Sequence, residues 1–199
     1  AAFRQQKLGF VFQAYNLLTC FSYAALFTNL AASSFTFINV LGMSRTQYGV
    51  MMGVNALCYI SGTFVCRRLL ASMSVQRAVT LAAGVCLISA TLLGLAAMAE
   101  LRSIWAYIIP FFFFQIAHGV NMPCGQSNAV APFPQAAGTA SALNGVTMML
   151  LAFATGHWLG LHLDEDSTKP LGYGIWFWGV CTAVVAWTLV RRYGNRQHH

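Results

Sequence analysis

Charge is what this chain of 199 residues most lacks: 8% of its residues are Asp, Glu, Lys or Arg, and only four of those are acidic. A soluble domain carries about 25% charged residues, so water cannot wet this surface all round and lipid must be the solvent for most of it. Paired cysteines are missing as well. Six cysteines stand singly at 20, 58, 66, 86, 124 and 181, mostly inside apolar runs and never in C-x-x-C spacing. Their spacing argues against a metal or redox motif and for small packing residues. No H-E-x-x-H is present, which removes the helical zinc-protease pattern. The nearest approach to the Gly-x-Ser-Gly turn of a serine intramembrane protease is Tyr59-Ile60-Ser61-Gly62, which lacks the first Gly; the last apolar run also offers no His to activate a serine. The chain is therefore not expected to be an enzyme, and neither a cofactor nor a metal is expected. There is no basic soluble domain to hold a nucleic acid, and no lone leading apolar segment of the secretory kind. The chain opens on Ala1 rather than Met, as a processed or truncated chain would.

What is present is a series of apolar runs. A span needs roughly 20 such residues, and six runs qualify, at about 11–36, 46–66, 78–99, 103–122, 136–160 and 171–190. The fold expected is all-α and membrane-integral, a six-helix bundle over 11–192. Residues 1–10 read as an amphipathic lead-in on the membrane surface and 193–199 as a tail. Ser44-Arg45-Thr46-Gln47 has capping-box spacing and predicts a helix start. "APFPQAAG" from Ala131 reads as a tight uncharged turn, because proline removes amide donors and restricts its predecessor.

Charges at the ends of the runs give a direction. With both termini on one side, that side collects Arg4, Lys7, Arg67, Arg68, Arg77, Arg191, Arg192 and Arg196. Arg45, Arg102, Lys169 and all four acids, Glu100, Asp164, Glu165 and Asp166, fall opposite. Eight basic residues against three put both termini in the cytoplasm, and this asymmetry also accounts for the net charge of +7. No Asp, Glu, Lys or Arg lies inside a run, so only His118 and His157 remain as titratable ring nitrogens there. A proton carrier in the membrane is usually an ionisable side chain; either the chain is not proton-coupled, or the coupling carboxylate lies outside this sequence.

Polar groups inside the runs are ordered. At 100° per residue, Gln115, His118, Asn121 and Gly125 share one sector of the fourth run. Such a strip cannot face acyl chains, where each unpaired polar group costs several kcal/mol, so it either glues helices together or lines a cavity. On the first run Gln13, Asn16, Cys20, Tyr23 and Phe27 share a face at steps of 3, 4, 3 and 4. That mixture of amides and rings suits a lipophilic ligand, cationic ones included. Asn55 and Asn144 are weaker candidates of the same kind. Small residues recur at Gly138, Ser141, Gly145, Ala152, Gly156 and Gly160 in the fifth run, and at Gly49 and Gly53 in the second. Both sets are expected to let helices approach closely, inside the bundle or at a sliding seam.

The run Pro123, Asn128-Ala129, Pro132-Phe133-Pro134 and Ala137-Gly138-Thr139-Ala140-Ser141-Ala142-Leu143 resembles the second-half signature of Bcr/CflA-type drug-resistance transporters, a branch of the major facilitator superfamily. "CFSYAALFTNLAASSFTFINVLGMSRTQYGVMMGVNAL" (20–57) looks like that family's seventh span, loop and eighth span, and Arg67-Arg68 like the basic loop that follows. The resemblance implies the C-terminal half of a twelve-span carrier built from two inverted three-helix repeats, spans 1–3 and 4–6, the first helix of each lining a central cavity. It also implies proton-coupled efflux of drugs or other small lipophilic molecules by alternating access, as a multidrug antiporter of a bacterial inner membrane. The partners implied are the N-terminal six-helix half, which carries the protons, the bilayer and a small-molecule substrate. Candidate substrate contacts are then Asn16, Cys20, Tyr23, Gln115, His118, Asn121, Asn55 and Asn144, with Arg67, Arg68 and Arg77 anchoring the loop. The competing expectation is a pore-forming or structural six-span subunit, suggested by the charge-free spans.

Overall fold

Ser44 begins a helix in the manner its spacing predicts. Its hydroxyl accepts from the Gln47 amide at 3.2 Å, and the Gln47 side chain accepts from the Ser44 amide at 3.0 Å, so two orphan donors are met at once. The computed structural model describes the backbone of residues 2–162 and 167–193, and the side chains of 9–162 and 167–192. Arg4, Lys7, Asp164, Glu165, Asp166, Arg196 and the tail from 194 thus lie outside the described side chains.

Among the described residues the fold is all-α, with six helices long and apolar enough to cross a membrane. They are α1 (Ala2–Phe35), α2 (Arg45–Ser72), α3 (Val75–Met98), α4 (Ile104–Val130), α5 (Ala137–His162) and α6 (Lys169–Val185). A wider π turn extends α1 over Thr36–Val40 and α6 over Ala186–Val190. Gly42, at φ +70°, then reverses the chain after α1, a backbone conformation that side chains resist. Two expectations shift. Residues 2–10 continue α1 without a break, so the lead-in is not a separate segment. Helix α4 runs through Pro123 for seven more residues to Val130, where the sequence suggested a stop near 122. A proline deletes one backbone hydrogen bond, and a membrane helix accommodates that because neighbours supply partners. The turn at 131–133 falls where the Pro-rich run places it, followed by a short 3-10 segment, Pro134–Ala136.

The packing is symmetric under exchange of α1 with α4, α2 with α5 and α3 with α6. Helix α1 packs on α4, α5 and α6; α4 packs on α1, α2 and α3; α3 and α6 pack on each other. Each triplet therefore lends its middle helix to the other, α2 lying on α4 and α5 on α1. Helices α2 and α5 share no packed seam, so the bundle is closed on its α3–α6 side and open between α2 and α5. Burial follows this plan. Over its most apolar stretch α4 is 61% buried, whereas α2 and α5 are each 22% buried and cover one narrow stripe.

Glycines set the closest approaches, but not the expected ones. Helices α2 and α4 cross at Gly62 and Gly119: a Cβ on Gly62 would sit 2.2 Å from the Ile116 carbonyl oxygen, and one on Gly119 2.4 Å from that of Tyr59. On the α3–α6 seam Gly172 abuts Ala97 and Leu93, Gly179 abuts Ala90, and Gly94 lies under Trp176. By contrast, a Cβ at Gly49, Gly53, Gly138, Gly145 or Gly160 would meet nothing within 4 Å, and Ser141 is exposed. Of the expected packing set Gly156 is in contact with the Phe27 ring and Ala152 is buried. The small faces of α2 and α5 point away from the bundle because the contacting stripe of each helix lies elsewhere on it. Gly119→Ala is expected to cost about 1–3 kcal/mol by overpacking, read as a lower Tm in detergent. Gly53→Ala should leave Tm unchanged or slightly raised, since alanine is the better helix former; equal responses at both positions would contradict the α2–α4 crossing.

Candidate functional site

The polar strip of α4 is turned into the bundle. Gln115 is 4% exposed, His118 1% and Asn121 0%, and the helices that cover them belong to this chain. His118 Nδ1 lies 2.8 Å from the Ser22 hydroxyl of α1. Its ring is nearly parallel to Phe114 of the preceding turn and tilted against Tyr59 of α2, with centroids 6.3 and 5.7 Å away. The imidazole thus ties α1, α2 and α4 together at one level. A second polar tie joins α1 to α5: the Thr19 hydroxyl donates to Asn144 Oδ1 at 2.9 Å, and one turn away the Cys20 thiol meets Asn16 Oδ1 at 3.1 Å. Gly125 makes room for this, since a Cβ there would lie 2.4 Å from the Thr19 methyl.

Of the eight residues expected to touch a substrate, six are buried by the chain's own helices: Cys20, Asn55, Gln115, His118, Asn121 and Asn144. For these the geometry gives interhelical packing, the alternative that sequence left open for the α4 strip. Asn16 and Tyr23 remain half-buried, seven positions apart on one face of α1. Tyr23 packs beside Cys20, Met122, Met148 and Leu151, where α1, α4 and α5 meet. Both side chains are therefore reachable from outside the bundle and backed by the polar ties behind them. Tyr59 is half-buried too, its ring tilted against that of His118. Sequence reading missed it, although Asn55, Tyr59, Gly62 and Cys66 recur at steps of 4, 3 and 4 on the face of α2 that meets α4. Ser22 and Thr19 were missed because hydroxyls on an apolar helix are common and carry no spacing signal.

Two further features qualify the sequence reading. Cys66 and Cys124, 58 positions apart, bring their sulfurs within 3.2 Å across the α2–α4 seam, both buried. They are free thiols, and no group of three or more possible metal ligands forms among the described residues. At the other end of the molecule Lys169 pairs with Glu100, and that ammonium holds the Glu100 carboxyl below the ordinary carboxylate range. Whatever the pair contributes is present above that range and lost as pH falls through the lowered value; both side chains are open to solvent, so the contribution is small. Arg67, Arg68 and Arg77 are exposed near the α2–α3 turn.

A hydrogen-bonded imidazole with no charge near it has a measurable signature. Ser22→Ala is expected to destabilise the protein by about 1–3 kcal/mol, because it strands a buried ring nitrogen. Adding His118→Phe should recover much of that loss, since removing both partners leaves nothing unsatisfied. A double-mutant cycle on thermal unfolding in detergent measures the coupling, and strictly additive losses would contradict the contact.

No protein-family model matches the chain, and no solved structure matches it. The chain is similar to "Uncharacterized MFS-type transporter YdgK" of Bacillus subtilis (strain 168), being 24% identical to it over 161 residues. The match covers 81% of this chain and 39% of that protein, so the chain spans about two fifths of the length of the relative it matches.

Proposed function

We propose that this chain is one six-helix bundle of a secondary transporter of the major facilitator type, the half that follows an N-terminal bundle of like size. One observation carries the reading: the packing is symmetric between two three-helix repeats, yet α2 and α5 are left open on the same side. An unlike partner bundle laid on that side would bury the small faces at Gly49, Gly53, Gly138 and Gly145, where a Cβ would meet nothing within 4 Å, and at the exposed Ser141. The likeness to an MFS-type transporter over most of the chain supports the same conclusion, as does the general build of such carriers, with substrate held between two bundles that rock about it.

In this reading the bundle moves as a unit in alternating access, and the substrate meets the open side. Asn16 and Tyr23 on α1 and Tyr59 on α2 are the contacts, while His118 and Asn144 tie their helices to α1 from behind and Gln115, Asn121 and Asn55 are buried there. The half-buried rings and single amide suit small lipophilic molecules, including cations that stack on tyrosine. Efflux of such molecules, as in drug-resistance carriers of the Bcr/CflA type, is the form of transport that fits. The spans hold no carboxylate, so protons that drive it would be carried by the other bundle. The excess of arginine at the end holding the termini supports a cytoplasmic position for that end, in a bacterial inner membrane.

The test is made in the full-length transporter reconstituted in proteoliposomes with an imposed proton gradient, using ethidium as the transported probe. Tyr23→Ala and Tyr59→Ala are expected to weaken probe binding by about tenfold each, a loss of roughly 1.4 kcal/mol, with Tyr23→Phe close to wild type. Asn144→Ala, which removes the acceptor of the Thr19 hydroxyl, is expected to lower Tm with probe affinity unchanged. Unaltered binding in both tyrosine variants would remove the assigned face, and steady single-channel conductance from the protein would favour a pore over a carrier.

A further inference from the structure

Basic side chains from three helices gather at one end of the bundle. Arg67 and Arg68 close α2, Arg77 sits in the first turn of α3, and Arg191 and Arg192 follow the π turn of α6. The only acid with a described side chain, Glu100, lies at the opposite end beside Lys169. Between the α2–α3 turn and the end of α6 the surface opens into a groove of about 1210 Å3. Its walls are of two kinds. Arg77 and Arg191 reach it from different helices, with the hydroxyls of Ser72, Ser74 and Thr80 between them, while Leu81 extends it along the outside of α3, toward the apolar part of the helix. Trp187 stands at the side of the groove and donates its indole N–H to the Thr80 carbonyl at 3.3 Å. Tryptophan favours this depth, where headgroups meet acyl chains. The N-terminus of α3 opens at the same place, and Ser74, its N-cap, makes no side-chain hydrogen bond to it, so its first amides add positive potential.

The geometry points to a binding site for an anionic phospholipid at this groove, its phosphodiester held between Arg77 and Arg191 and an acyl chain lying over Leu81. Three arguments select a lipid. The groove lies on the closed α3–α6 side of the bundle, away from the opening between α2 and α5 that another polypeptide would cover. It joins a charged rim to an apolar wall, as a headgroup-and-tail molecule requires and a free anion does not. Basic pockets between membrane helices at this level are suited to anionic headgroups. The inference stands on the helices being embedded in a bilayer and is independent of the transport reading.

The full-length protein, delipidated in detergent, would be titrated with dioleoyl phosphatidylglycerol, with dioleoyl phosphatidylcholine and with inorganic phosphate, and bound lipid counted by native mass spectrometry. Wild-type protein is expected to bind phosphatidylglycerol in preference to phosphatidylcholine. R77Q or R191Q should each lose about fivefold in affinity and the double variant about thirtyfold. The double variant R77K/R191K, which keeps the charge, should retain most of the binding, and R102Q at the other end should match wild type. Equal binding of the two lipids, or undiminished phosphatidylglycerol binding in R77Q/R191Q with Tm preserved, would overturn the site. Displacement of the lipid by equimolar inorganic phosphate would overturn the lipid as its occupant.

Discussion

Hydrocarbon offers a polar group nothing to bond with, and the whole bundle is arranged around that fact. A helix satisfies its own backbone, and its hydroxyls can donate to carbonyls of the preceding turn, but amide and imidazole side chains gain most from partners on other helices. Several find them on α1, the first helix of its repeat: Ser22 takes His118 of α4, Thr19 takes Asn144 of α5, and Ser33 takes the Tyr48 hydroxyl of α2 at 2.7 Å. One hydroxyl-bearing face thus sets the register of three neighbours. The apolar contacts then fill in around it, with Tyr15, Phe37, Tyr107, Phe111 and Phe114 fully buried.

That arrangement explains what the sequence discloses and what it withholds. The six helices, the capped start at Ser44 and the Pro-rich turn are legible because each is a local matter of hydropathy, capping chemistry or proline sterics. Periodicity also places Gln115, His118 and Asn121 on one face of α4. It does not say what covers that face, because a strip facing a dry seam and a strip facing a wet cavity have the same spacing. The same limit applies to glycine. Gly49 and Gly53 are spaced like a packing motif but meet nothing, whereas Gly62 and Gly119 touch backbone to backbone. Which small residue is in contact depends on where two helices cross, a property of the pair and not of either sequence. The Cys66–Cys124 contact is hidden for the same reason, being 58 positions long.

Polar ties and small-residue seams differ in what they allow. On the α3–α6 seam glycines receive alanine methyls and an indole ring at close range, with no polar side chain exchanged between Gly94 and Trp176, Ala97 and Gly172, or Ala90 and Gly179. Such packing has one solution and resists sliding, since any shift drives a methyl into backbone. The polar middle is less constrained. Both side-chain atoms of Asn29 and of Asn121, and one oxygen each on Asn55 and Gln115, have no hydrogen-bond partner among the described residues. A buried polar group left in that state costs about 1–3 kcal/mol, against a total stability of about 5–15 kcal/mol for an ordinary domain. These amides sit on α1, α2 and α4, and none sits on α3 or α6. The proposed rocking carrier would require a stiff body and a face whose contacts can be exchanged. The α3–α6 seam supplies the stiffness, and the unpaired amides lie where an exchange of partners gains the most.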